Sequence, residues 1–389
     1  MYTKLQRQAF LYQLYPDQAV VSEVLDYCKN RFSPNWEKLS QLSQPEDDPQ
    51  IPVWQGYIAA THQEGVFPVL QRYLPAFRFP IAEGMSQSPT YRAVTRQGKS
   101  LPVEGEGLKL QAPERLKLHL YKSLAGNIPV LEVPNSDDFA SIIRALAYKN
   151  EPAHIPASMG ASMLGGLNNW HRIGLLRSAW QAQNPGASWN AHFRSQILPQ
   201  KMLYQDRLII LSEKPYSGVS HLTLGLDEKT WLDHSSQIRR AHEVAHYFTK
   251  KYMGGMYIHL HDELIADYMG IKEAVNRFLP TWFLYFMGLE GNTYRAGGRM
   301  ENYTTDTAMS EEAQHLLQHV LRLAALQLAQ FDVAISSVSL PTSRIAEMCT
   351  LCAFSLDEMA HPSAHYKMMD HYQNILPSVY QSFVSEHST

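Results

Sequence analysis

The segment His242-Glu-Val-Ala-His246 and the later segment Glu263-Leu-Ile-Ala-Asp267 restrict the fold more than any other part of the chain. In a helix, residues four apart lie one above the other, so His242 and His246 share a face. Two imidazoles stacked in this way hold one Zn²⁺ at about 2.0–2.1 Å per nitrogen. Glu243 lies too far round the helix to be a ligand, but it is placed to take a proton from a metal-bound water. A catalytic zinc then needs a third protein ligand and an open position. Glu263 follows His246 by 17 residues, room for the first helix to end, a Gly254-Gly255 turn and a returning helix. Asp267 falls four residues after Glu263, on the same face, where it serves as acceptor for the outer N–H of a ligating histidine. Ala245 and Ala266 keep the facing helices slim.

Together, His242-Glu-Val-Ala-His246 and Asp262-Glu-Leu-Ile-Ala-Asp267 resemble the gluzincin zinc metallopeptidases, whose pattern is H-E-x-x-H followed by [ND]-E-x-x-[AS]-D. Thermolysin is the familiar member. The likeness covers residues 235–270 and implies His242, His246 and Glu263 as zinc ligands, Glu243 as general base and Asp267 as the orienting aspartate. It also implies a small mixed β-sheet over the active-site helix, with an edge strand that binds an extended peptide by backbone pairing. A downstream Tyr or His stabilises the oxyanion in that family; His361, His365, His371, Tyr372 and Tyr257 are the candidates here. The metzincin pattern is excluded, because Thr249 and Tyr252 stand where it needs Gly and His.

The rest of the composition sets the class. The chain has 389 residues, enough for two or three domains' worth of core or for one large catalytic domain with an extension, and 45% apolar and 18% charged residues describe a folded globular protein. A net charge of −3 gives no electrostatic case for nucleic acid or an anionic membrane surface. No window approaches the roughly 18 apolar residues that span a bilayer. Residues 1–10 lack the apolar run of a signal peptide, and three cysteines suit a reducing compartment, so a cytoplasmic location is expected.

Along the chain, apolar residues at helical intervals predict helices over residues 1–42 and again over 53–76, with the Pro-rich stretch Ser43–Pro52 as a linker or surface loop. From Phe77 to Glu106 no period is visible. Strands are expected at Leu108–Gln111, Leu116–Leu120, Ile128–Val133, Arg207–Ser212 and Val219–Gly225. Asn135 and its neighbours read as the N-cap of a helix through Tyr148. Ile155–Trp170, rich in Gly, Ser and Met, reads as a loop. It either packs under a helix or lines a cleft with Asn168 or Asn169 on a peptide backbone, and Ala187–Phe193 carries the same two readings. Glu273–Met287 is apolar nearly all round and should be buried, Tyr294–Tyr303 is a polar loop, and Glu311–Phe331 is a helix followed by one or two more within Leu340–Tyr380.

These segments suggest an α+β fold with a helical N-terminal region (1–105) and a zincin-like catalytic domain (106–389). The domain would have a sheet-containing part (106–230) and a helical part (231–389). Cys349-Thr-Leu-Cys352 with His361 and His365 has the composition of a second zinc site, but the surrounding apolar helix favours buried, unligated thiols. His259 and His261 come just before Glu263; His259, four residues ahead of it, could replace a ligand or reach the substrate, but both better fit the turn before its helix. The expected function is a zinc-dependent hydrolase, a metallopeptidase acting on a peptide or protein substrate. The alternatives are an inactive zincin-like scaffold and a zinc hydrolase of a non-peptide amide or ester.

Overall fold

A computed structural model of the protein describes residues 1–35, 39, 45–102, 106–305, 307–336 and 343–384. The fold is α+β, with many helices and one four-stranded mixed sheet. Its contacts separate two compact units, Met1–Pro45 together with Pro215–Thr389, and Glu46–Lys214. The expected division at residues 105/106 is not the one these contacts follow. Residues 1–45 pack with the C-terminal part of the chain, and the sheet belongs to the other unit.

The first unit begins with α1 (Lys4–Leu14), whose N-terminus is closed by a reciprocal Thr3/Gln6 capping box. In α2 (Gln18–Tyr27) the Asp17 carboxylate takes the free N–H groups of Ala19 and Val20. Leu11, Val21 and Val24 are fully buried from these helices. Arg7 forks onto Asp357 at 2.6 and 2.7 Å, and the Tyr2 N–H donates to Glu358 at 2.7 Å, so the N-terminal segment is bonded to a region 350–356 residues away. The helical expectation holds to Tyr27; residues 36–38 and 40–42 lie outside those described.

The unit Glu46–Lys214 contains α3 (Ile51–Glu64), α4 (Val66–Tyr73), α5 (Pro89–Gln97), α6 (Ser136–Leu146), α7 (Trp170–Gln183) and α8 (Trp189–His192). Its strands are β1 (Lys117–Ser123), β2 (Gly126–Val133), β3 (Ala161–Asn168) and β4 (Gln205–Ser212). They lie in the order β1-β2-β4-β3, parallel only between β2 and β4. Leu131, Val133, Leu208 and Ile210 of the sheet pack with Ile142 and Ile143 of α6 and Trp54 of α3.

Four expectations change in this unit. Ile155–Trp170 is not wholly a loop, because β3 runs through it. The strand is held by β4 despite its small residues, with an irregularity between Gly165 and Leu167 where Gly166 takes φ +81°. Leu108–Gln111 is extended but unpaired as a strand, pinned instead by Leu108 N–H to Phe77 O and Gln111 N–H to Asp138. The aperiodic stretch 77–106 contains α5, capped by Ser88. Of the expected linker, Ser43 and Gln44 lie outside the described residues. Asp48 pairs with Arg207, and the Gln50 side chain bonds both backbone groups of Arg207, so this part is stitched to β4.

Asn169 is completely buried. Its amide donates to Asp206 at 2.7 Å and its oxygen caps Arg172 N–H, which gives it a packing role and no exposed group for a peptide. Trp189 likewise packs in a small core with Ile173, Ile197 and Tyr204.

The chain then returns to the first unit with α9 (Glu228–Tyr252), α10 (Leu260–Val275), α11 (Pro280–Met287), α12 (Glu301–Thr304), α13 (Glu311–Ile335), α14 (Ser343–Ala353), α15 (Leu356–Ala360) and α16 (Ala364–Val384). The strand expected at Val219–Gly225 is a 3₁₀ turn instead. Ser220 caps it, Gly225 ends it at φ +68°, and the Trp231 indole holds the Val219 carbonyl. The apolar run 273–287 is broken at Asn276 (φ +58°) and restarts as a helix at Pro280. Leu340–Thr342 fall outside the described residues.

Candidate metal centre

Every side chain of the predicted site belongs to the unit Met1–Pro45 with Pro215–Thr389. Asp227 caps α9, and His242, Glu243 and His246 sit in its buried C-terminal half. After a left-handed Gly254, α10 begins at His259 and carries Asp262, Glu263 and Asp267, all buried. The helices are in close contact at Gly270, where a Cβ would lie 2.8 Å from the Ile238 carbonyl oxygen. A glycine there lets one backbone rest on the other.

The three predicted ligands converge. His242 Nε2 and His246 Nε2 are 3.1 Å apart, His242 Nε2 is 3.5 Å from Glu263 Oε2, and His246 Nε2 is 3.5 Å from Glu263 Oε1. Donors bound tetrahedrally at about 2.0–2.1 Å from one ion lie roughly 3.3–3.4 Å from one another. The outer nitrogens face carboxylates. His242 Nδ1 is 2.8 Å from Asp267 Oδ1, and His246 Nδ1 is 3.4 Å from Asp262 Oδ1, a charge contact without an aligned hydrogen bond. With a proton on each Nδ1, both Nε2 lone pairs point at the same space as the Glu263 oxygens. A cation at that point satisfies all of them, and the mixture of two imidazoles and one carboxylate is a zinc donor set. Among the described residues this is the one group of three such side chains that could hold a metal ion.

A ring of further groups fixes the ligands. Asp267 Oδ1 accepts from the Tyr216 hydroxyl at 2.6 Å, and Tyr216 also lies 3.0 Å from His242 Nδ1. Arg299 donates to Glu263 Oε2 at 3.1 Å, Asp267 Oδ2 at 2.8 Å, Tyr216 OH at 2.8 Å and Ser217 Oγ at 3.1 Å. Burial first, and then the neighbouring Glu263 carboxylate, push the Tyr303 hydroxyl well above its ordinary value, so it stays neutral. Asp262 accepts from Tyr257 N–H at 2.6 Å.

In the metal-free protein, burial would raise Glu263, but His246, His242 and Arg299 outweigh it and hold the carboxyl far below its ordinary value. Burial would lower His246, yet Asp262 and Glu263 outweigh it and hold the imidazole well above the usual range. Tyr216 is pushed up by burial, so it remains a neutral donor. Glu243 is buried beside His242, and its charge is felt by Arg239, whose guanidinium burial pulls down to about 10.

Sequence reasoning found His242, Glu243, His246, Glu263 and Asp267, and the structure brings the three ligands and Asp267 together. It missed the supporting parts played by Asp262, Tyr216, Arg299 and Tyr303. The oxyanion candidates His361, His365 and His371 bond Ser363, Gln327 and Thr350 instead, none of them a site residue. Tyr372 is buried against Phe331, and the Tyr257 backbone N–H bonds Asp262. His259 stays neutral as the α10 cap, with burial lowering it to about 4, and His261 lies 3.4 Å from the Leu351 carbonyl through Nε2. Cys349 and Cys352 are free, buried thiols, and Cys349 is pushed up by burial to about 12.

Residues 9–363 match the model of a family of unknown function, DUF7005. The chain belongs to that family. No curated protein and no solved structure matches it. No helix among its described residues is long and apolar enough to cross a membrane.

Proposed function

We propose that the protein is a zinc-dependent hydrolase, and that its substrate is a peptide or protein. The observation that carries this reading is the meeting of two imidazole Nε2 atoms with Glu263 while Asp267 and Asp262 face the outer nitrogens. His242, His246 and Glu263 would hold Zn²⁺. The bound ion would supply Lewis acidity for the scissile carbonyl and lower the pKa of a water in its open position towards about 7.

The chain's own residues do the rest. Glu243, next to His242 and out of the ligand set, accepts the proton of the attacking water on its carboxylate and returns it to the leaving amine nitrogen. Asp267 keeps the proton of His242 on Nδ1, so that Nε2 remains a donor to the metal. Burial of the cluster excludes competing water and strengthens each charge interaction. Three buried free thiols support a reducing compartment, and hence a cytoplasmic location.

The test is metal content followed by hydrolysis. Protein purified without added metal should contain one zinc per chain and cleave members of a peptide library. Glu243→Gln should keep the zinc and lose the cleavage. Equal cleavage by that variant would remove the mechanism, and absence of stoichiometric metal from the wild type would remove the function. Cleavage of amides or esters but no peptide would leave the hydrolase and change its substrate class.

A further inference from the structure

The distances alone leave both Glu263 oxygens equally available, since each lies 3.5 Å from one imidazole nitrogen. Arg299 breaks that tie. Resting on the zinc-hydrolase reading above, we propose that Arg299 is a positioning residue that occupies Glu263 Oε2 and so confines the ligand to one-oxygen binding through Oε1. Three protein donors then leave a fourth position open, which a second Glu263 oxygen would otherwise fill.

The guanidinium is held through its two terminal nitrogens, while its Nε is buried without a hydrogen-bond partner. Nη1 donates to Tyr216 OH and Ser217 Oγ, and Nη2 donates to Glu263 Oε2 and Asp267 Oδ2. Ser217 offers its hydroxyl from a left-handed backbone (φ +53°), a conformation that a residue with a side chain adopts at a cost. The loop that delivers Arg299 is pressed against the end of α11. A Cβ on Gly298 would fall 2.5 Å from Met287 O and 2.6 Å from Gly288 Cα. The Arg299 N–H then bonds Phe286 O at 3.2 Å. A planar fork fixed at both nitrogens selects one carboxylate oxygen, which a lysine point charge does not do. Tyr303 also neighbours Glu263, but burial keeps it neutral and it brings no charge.

The experiment uses the full chain loaded with Zn²⁺ for crystallography and with Co²⁺ for visible spectroscopy, as wild type, Arg299→Gln, Arg299→Lys and Tyr303→Phe. The wild type should show Glu263 bound through one oxygen and a four-coordinate cobalt spectrum. Arg299→Gln should shift to the weaker five-coordinate spectrum, with the acid limb of kcat/KM moved to higher pH. Arg299→Lys should keep the five-coordinate spectrum while its acid limb returns towards wild type. Glu263 bound through both oxygens in the wild type, or a four-coordinate Arg299→Gln spectrum, would overturn the proposal. So would a spectral change confined to Tyr303→Phe. The wild-type structure decides the matter even where a variant does not fold. A wild type that binds no metal sinks the functional reading itself, which a metal-loaded wild type with two-oxygen ligation does not.

Discussion

Tyr27 and His259 stack with ring centroids 4.2 Å apart, and the Tyr27 carbonyl lies 2.9 Å from His259 Nε2. The Tyr27 hydroxyl accepts from Leu260 N–H at 3.3 Å and donates to the Tyr303 carbonyl at 3.2 Å. One residue of α2 thus fixes the start of the ligand-bearing helix α10 and the backbone of a second residue at the site. Tyr27→Ala should destabilise the metal-free protein by about 3 kcal/mol, the usual cost of deleting a buried aromatic ring. Tyr27→Phe, which loses only the hydroxyl's bonds, should cost about 1 kcal/mol. Urea denaturation of the apo forms measures both, and equal midpoints for all three proteins would contradict the assignment.

Ligands and supports should separate by the size of their effects. His242→Ala and His246→Ala should abolish stoichiometric zinc. Asp267→Ala, which frees the outer nitrogen of His242, should weaken zinc by about 10- to 100-fold and leave a bound ion. Competition against a chromophoric chelator distinguishes these outcomes.

Zinc and protons should compete. Because Asp262 and Glu263 outweigh burial and hold His246 above its ordinary value of 6.5, the metal displaces a proton from it. Zinc affinity should therefore fall with falling pH, and calorimetry in buffers of different ionisation enthalpy should show proton release. In the apo protein the raised His246 contributes stability that is fully present below pH 6.5 and is lost as pH rises through its folded value. The depressed Glu263 contributes stability present above its ordinary value of 4.5 and lost as pH falls through its folded value. Apo stability should accordingly decline towards alkaline pH, and zinc should remove that decline.

Gly270→Ala should act at a distance from the ligands. The added methyl meets the Ile238 carbonyl oxygen at 2.8 Å, a backbone atom that cannot rotate away. Separation of α10 from α9 should cost about 1–3 kcal/mol and lower zinc affinity with every ligand intact. Thermal melts with and without zinc test this.

Cys349 and Cys352 should prove irrelevant to metal. The double Ala variant should keep one zinc per chain, and the native thiols should react slowly with a disulfide reagent, because they are buried and Cys349 is pushed up to about 12. A second equivalent of zinc lost with these cysteines would contradict the packing role.

What could be read from the sequence follows from how local each feature is. His242 and His246 declare themselves because their juxtaposition is set by one helical turn, and Glu263 and Asp267 repeat that spacing on the next helix. Arg299, Tyr216, Tyr303 and Tyr27 reach the cluster only through tertiary packing. Arg299 sat in a segment that read as a polar loop, and the one signal was the Gly297-Gly298 pair that precedes it. β2 and β4 were legible from their apolar runs. β3 was not, because Gly, Ser and Met carry little strand preference and the neighbouring β4 imposes the pairing. The helices of residues 1–27 follow from their period, but their tie to α10 rests on contacts that no local pattern encodes.

The glycine contact that seats Arg299 also sets an order for biogenesis. A growing chain emerges with both histidines and Glu263 well before residue 299 leaves the ribosome. A released polypeptide ending at residue 280 would therefore own every proposed zinc-binding atom and lack the arginine proposed to orient them. On the reading proposed above, an ion captured at that stage would meet both Glu263 oxygens, and its fourth position would open only when the downstream loop arrives.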